Sequence, residues 1–301
     1  MEENNLENSS KIRDTLLRLG AIKNEHVEIF SKNTRDKNNL VVYKDNKSKV
    51  IFIDEYYVGD NEYKSGDYRT KPDPLMPSTN EDLEDLLDTQ RRYKKFEQFI
   101  TNKNICDFGC GEGNFLRVSK PFVKSLVGIE LQKNFSDEIN NDGIKCISKL
   151  DELIEPMDTF FLFHCLEHLP NPSVTLKEIY HKLKSNGEGT IIVEIPHAKD
   201  FLLQHLELES FKNFTLWSQH LILHTRESLN LMLVDAGFKN IHIEGVQRYG
   251  LANHLTWLKD KKPGGHKNSL SIIETENLKN SYADALSKLD ANDTLIAVAT
   301  T

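Results

Sequence analysis

Two clusters of residues have the types and spacing to do chemistry. The first is Asp107-Phe108-Gly109-Cys110-Gly111-Glu112-Gly113-Asn114, directly after the apolar run Ile105–Phe108 and before the helix that Phe115 and Leu116 begin. Glycines on a strand-to-helix turn let the backbone approach a ligand closely, and Asp107 adds an acceptor for a cationic or amino group. A dinucleotide loop needs GxGxxG, and Asn114 stands where its third glycine belongs. Glu130, 23 residues after Asp107, closes the run SLVGIEL at the place where such sheets offer a carboxylate to ribose hydroxyls. The second cluster is His164, Glu167 and His168 in FHCLEHLP, at the end of another apolar run, where open α/β sheets bind ligands.

The elements that must position these groups are legible as a rhythm. ICDFG, SLVGIEL, IKCIS, TFFLFHC and GTIIVEI are short apolar runs separated by helical intervals, the pattern of parallel strands buried on both faces. KNIHIEGVQRY and DTLIAVAT add two more strands, with a helix near 274–289 between them. A seven-stranded, doubly wound Rossmann-like α/β sheet follows, with a small N-terminal α+β appendage. A helix over 80–101 carries one apolar face, and KPDPLMPSTNED (71–82), with three prolines, marks a linker before it. The appendage holds a short helix near Ile12–Leu19, closed by Gly20, and two strands around NKSK between residues 40 and 58. The expected division is residues 1–79, a small domain with a strand pair; 80–245, the Rossmann-like domain; and 246–301, a segment with a pocket loop, a helix and the last strand.

The 301 residues suffice for a sizeable core, and the net charge of −8 comes with no basic run that could track a phosphate backbone. Nucleic acid is therefore a poor partner, and a small molecule a better one. The opening MEENNLENSS is acidic and polar, and no apolar stretch approaches the roughly 18 residues of a membrane span, so a cytoplasmic protein without membrane insertion is expected. A homodimer stays open. Cys106, Cys110, Cys146 and Cys165 show neither CxxC spacing nor a companion histidine, which argues against disulfides and zinc. His197, His220, His224 and His254 lack a carboxylate or cysteine at ligand spacing, so no metal is expected; several of them, His220, His224 and His254, suit a polar acceptor pocket with Arg248, Tyr249 and Asn253, with KPGGH (262–266) as a loop at its mouth. Tyr56, Tyr57, Tyr63, Tyr68 and Arg69 could line such a pocket or pack beside the small sheet.

The DxGxGxG spacing of Asp107, Gly109, Gly111 and Gly113 resembles motif I of class I S-adenosylmethionine (SAM)-dependent methyltransferases. LEHLPNP, LKSNGEGTIIVEIP and the AGF turn at 236–238 extend the resemblance across roughly residues 90–245. It implies SAM as cofactor, held by those four residues and Glu130, with Asp151 in SKLD beside the adenine. It also implies His168 as the general base, with His164 and Glu167 beside it. Histidine suits the task because it exchanges a proton near neutral pH. YKSGDYR and QRYGLANHLTWLKDKKPGGH look like a subgroup acting in bacterial polysaccharide and nucleotide-sugar biosynthesis, which implies a sugar or nucleotide-linked sugar as acceptor. Relatives of that kind carry a cysteine-ligated zinc near the N-terminus, and this chain has no cysteine before Cys106. Oxygen and nitrogen therefore stand beside carbon as the atom methylated, and another small metabolite as acceptor. A nicotinamide-dependent oxidoreductase would need the spacing that Asn114 breaks. A non-catalytic module that keeps the fold satisfies the same sequence.

Overall fold

The computed structural model describes residues 11–66, 81–184 and 189–301. Tyr68, Arg69 and nearly all of the expected linker lie outside the described residues. In chain order the first unit holds α1 (Ile12–Arg18), β1 (Val27–Ser31), β2 (Val42–Asp45), β3 (Ile51–Ile53) and α2 (Asp60–Ser65). Helix α1 buries Ile12 and Leu16, one turn apart, and β2 and β3 pair antiparallel as expected, Val42 opposite Ile53. Strand β1, which no alternation in VEIFS betrays, adds to the free side of β2.

The second unit runs α3 (Glu81–Ile100), β4 (Asn104–Phe108), α4 (Asn114–Ser119), β5 (Ser125–Ile129), α5 (Lys133–Asn141), β6 (Lys145–Ile147), β7 (Thr159–Phe163), α6 (Pro172–Lys182) and β8 (Thr190–Pro196). It continues with α7 (Glu209–Thr215), β9 (Ile222–Leu223), α8 (Arg226–Ala236), β10 (Lys239–Val246), α9 (Leu251–Asp260), α10 (Glu276–Lys288) and β11 (Thr294–Thr300). Seven of these strands form one sheet in the order β10-β11-β8-β7-β4-β5-β6. Strands β4 to β8 run parallel to one another, and β11 inserts antiparallel between β8 and β10. The sheet is the seven-stranded Rossmann-like one that the apolar runs announce. Phe160, Phe161, Leu162, Ile191, Ile192 and Val193 are fully buried, as strands covered on both faces require.

The chain leaves β4 toward β5 and β6, then returns to lay β7 on the other side of β4, so the exits of β4 and β7 flank a topological switch point. Helix α3 covers one face there, Phe96 packing on Phe161 with ring centroids 6.1 Å apart. The first unit is stitched to the second. Strand β9 pairs antiparallel with β3, Ile51 opposite Leu223, completing a four-stranded sheet β1-β2-β3-β9. Ile12, Phe52 and Leu233 belong to the same continuous hydrophobic core.

Candidate active site

At the exit of β4 the backbone takes the left-handed conformation at Gly109 (φ +74°), Gly111 (φ +55°) and Gly113 (φ +80°). Space forbids side chains as firmly as conformation does: a Cβ on Gly109 would sit 2.6 Å from Cys165 Sγ, and one on Gly113 2.7 Å from Ile139 Cγ1. Glu130, just past β5, buckles the loop. One of its carboxylate oxygens accepts from the Gly111 amide and the other from the Gln132 amide, each at 2.8 Å. Each oxygen keeps a second lone pair for a ligand hydroxyl. Asp107 is 3% exposed; burial pushes its carboxyl up to about 7, Arg92 opposing and Glu130 adding. Asp151 sits exposed on the turn Leu150–Glu152 after β6. Gly66, the left-handed cap of α2, packs so closely on Gln132 that a Cβ would lie 2.5 Å from its Oε1, which brings the first unit to the β5 exit.

Beyond the exits of β7 and β8 opens a cavity of about 590 Å³. His164, Glu167, His168 and His220 line it, and so do Arg248, Tyr249, Asn253 and His254. His224 lies behind: it is fully buried, and its Nδ1 meets Ser228 Oγ at 3.0 Å. Residues 219–224 pass between the two sheets. The Gln219 carbonyl faces His168, the Leu221 amide donates to the Glu167 carbonyl at 2.8 Å, and the Leu221 carbonyl accepts from the Ile53 amide at 2.9 Å. Residues 262–267 border the cavity: the Gly264 and Gly265 amides both donate to Asn253 Oδ1 at 3.2 Å, and Lys262 and Gly264 line it.

A charge network underlies the cavity floor. Glu194, in the middle of the apolar strand β8 and fully buried, accepts from Arg91 and Arg92 of α3, each at 2.7 Å. His164, at a strained φ of +50°, places Nδ1 3.3 Å from Glu167 and Nε2 3.4 Å from Glu194. Burial and Arg248 work against its protonated form, but the two carboxylates prevail and raise it. Glu167 has the opposite balance: burial would raise it, yet His164 and His168 draw it down to about 2. Arg248 reaches Asp88 of α3 and stands 3.1 Å from His164 Nε2. No local motif marks Asp88, Arg91 or Arg92. Glu194 had a signal, a lone carboxylate inside the run TIIVEIP.

His168 is oriented by its Nδ1, 2.9 Å from the Gln219 carbonyl; a carbonyl only accepts, so Nδ1 carries the proton and Nε2 the lone pair. The His220 ring centroid lies 5.1 Å away, and burial drives that histidine down to about 3. Glu167, His168 and His220 each bring a ligand-type atom within 4.8 Å of the others. The fold thus places a carboxylate among histidines that sequence spacing leaves without one.

A family model described as a methyltransferase domain matches residues 80–243. No curated protein matches the chain. Among solved structures, a SAM-dependent methyltransferase from Archaeoglobus fulgidus is 18% identical, with 72% of this chain and 94% of that one covered and a TM-score of 0.49. Phosphoethanolamine N-methyltransferase 2 from Haemonchus contortus, in complex with SAM, is 17% identical, with coverage of 71% and 52% and a TM-score of 0.47. The plantazolicin methyltransferase BamL, in complex with a triazolic desmethylPZN analog and SAH, is 15% identical, with coverage of 81% and 91% and a TM-score of 0.47.

Proposed function

The chain belongs to the methyltransferase domain family and is a SAM-dependent methyltransferase, and from that premise we propose that its acceptor is a sugar or nucleotide-linked sugar, methylated in the cavity beside His168. The observation that carries this reading is the cavity itself, because Cys165, between two of its lining residues, touches the glycine loop. Its volume of about 590 Å³ suits a small molecule, and Trp217 and Trp257 give it apolar walls against which a sugar ring can pack. The N- and C-terminal segments that resemble sugar-modifying relatives bear on the cavity from two sides: the first unit through Tyr63, whose ring centroid lies 6.2 Å from that of His168, and the second through residues 248–267.

The glycine loop fits the cofactor, since its left-handed turn at the β4 exit sets the Asp107 and Glu130 carboxylates at adjacent strand tips. Asp107 would hold the methionine end, and Glu130, through its spare lone pairs, the ribose. SAM, when bound, supplies an electrophilic methyl group on sulfur. Transfer is a direct displacement whose chief demand is alignment, and the acceptor atom must also lose a proton. His168 Nε2 takes that proton, since Gln219 fixes the other ring nitrogen as the donor. Glu167, ionised because it is held near 2, then faces the imidazolium that forms. His164 keeps Glu167 in place by sharing its hydrogen bond with the Glu194 side of the network.

The test is methyl transfer from isotopically labelled SAM to a panel of free sugars, nucleotide sugars and non-sugar metabolites. Labelled product from a sugar or nucleotide sugar supports the reading. Turnover confined to non-sugar acceptors would overturn the acceptor class, and none with any acceptor would leave a binding module.

A further inference from the structure

The cavity carries a second group of polar lining residues, at the exit of β8 and the entry to β11. His197 follows β8 and is 2% exposed. Its Nδ1 lies 3.0 Å from the Asn292 carbonyl and so carries the proton. Burial keeps the ring neutral, down to about 4, which leaves a lone pair on Nε2; that buried atom has no hydrogen-bond partner among the described residues. Asp200, three residues on and 6% exposed, caps the turn Phe201–His205 by accepting from the Leu202 and Leu203 amides at 2.7 and 3.1 Å. Both bonds fall on Oδ1, leaving Oδ2 unused by the cap. Asp293 is adjacent, its carbonyl accepting from the His197 amide at 2.9 Å, and its carboxylate is spent on the amides of Arg248 and Tyr249 and on Gln247. His254 completes the group, stacked on Phe201 at 5.8 Å with Nδ1 2.7 Å from the Tyr282 hydroxyl. All four residues line the cavity.

These groups are acceptors, and two are buried carboxylates with one guanidinium close by, while Lys262 and Lys267 also line the cavity. That guanidinium, on Arg248, is committed to Asp88 and His164. A buried carboxylate short of a counter-charge is costly, and an orphaned ring nitrogen adds to the cost. A hydroxyl would satisfy His197 but leave the charge of Asp200 unmatched. A protonated amine does both. We propose that this group forms an amine subsite, which takes a cationic amino group of the acceptor on Asp200 and His197 while the methylated position lies toward His168. The subsite rests on the reading that the cavity holds the acceptor, and it makes that acceptor an amino sugar rather than a neutral one. Burial and the neighbouring charge of Asp293 push the Asp200 carboxyl up to about 7, and a cation held against it would draw it back down.

The experiment is calorimetric titration of the full chain, saturated with S-adenosylhomocysteine, using two matched pairs: glucosamine against glucose, and ethanolamine against ethylene glycol. The amino member of a pair should bind at least about tenfold more tightly, as a charge-assisted hydrogen bond warrants. Asp200→Asn, which keeps Oδ1 for the cap, should shrink the difference to about twofold while leaving the S-adenosylhomocysteine affinity intact. Should that variant lose S-adenosylhomocysteine, His197→Gln replaces it, with the same narrowing expected. Equal affinities within both pairs, binding by none of the four compounds, or a preference untouched by the variant overturns the subsite and leaves methyl transfer to a neutral sugar standing. A preference in the ethanolamine pair with both sugars silent sustains the subsite and sinks the sugar.

Discussion

At the glycine loop the parts are three left-handed glycines inside a span of eight residues that Asp107 opens, with one carboxylate from just past the next strand. At the cavity they are side chains drawn from β7, β8, the 217–220 turn, the 247–254 stretch and α3, so that Arg248 meets Asp88 across 160 residues of chain. The loop admits no added Cβ at Gly109 or Gly113. The cavity inverts that rule, its backbone serving mainly to hold charges in register. Donor binding and acceptor chemistry should therefore fail separately when residues are changed.

The largest effect is expected under the cavity floor. Glu194→Gln leaves two guanidiniums facing an uncharged amide and should cost about 3–5 kcal/mol of stability, read as a lowered denaturant midpoint. A midpoint unchanged from the parent would mean that the network contributes no stability. Next comes His168→Ala, which should cut turnover about 100-fold or more, while SAM affinity stays within a few-fold. Unchanged turnover removes His168 from its role, and lost SAM affinity denies that the two ends are separable. Third is the pH dependence of SAM binding at the loop. Asp107 titrates near 7, and its ionised form is the one that attracts the ammonium, so affinity should weaken as pH falls below 7, by at most about tenfold per unit. Titrations at pH 6 and 8 measure this, and Asp107→Asn should flatten the difference. The smallest effect concerns the cluster of Glu167, His168 and His220. With His168 acting as base, EDTA should leave turnover unchanged; a requirement for added divalent ion would turn the cluster into a metal site.

The sheet was legible because strands buried on both faces read as apolar runs, and TFFLF and TIIVEI became β7 and β8 within a residue or two. The glycine loop was legible because its requirement is local: left-handed backbone at fixed spacing can be met only by glycine. Other features depend on distant partners. Strand β9 is two residues long and acquires its identity from β3, so nothing in WSQHLILHT announces it. His220 and His224 stand four apart, which on a helix would share a face; a turn followed by a strand sends one into the cavity and the other behind it. Asp200 and Asp293 read as ordinary loop carboxylates, since what distinguishes them is burial.

The pairing of β9 with β3 has a wider consequence. The stretch that presents the Gln219 carbonyl to His168 is anchored at its far end by Ile53, Phe52 and Ile51, so the appendage braces the His168 ring through a strand pairing as well as placing Tyr63 near it. A chain shortened to its Rossmann-like half would keep the glycine loop yet release that brace, and a catalyst would be reduced to a receptor for its own cofactor.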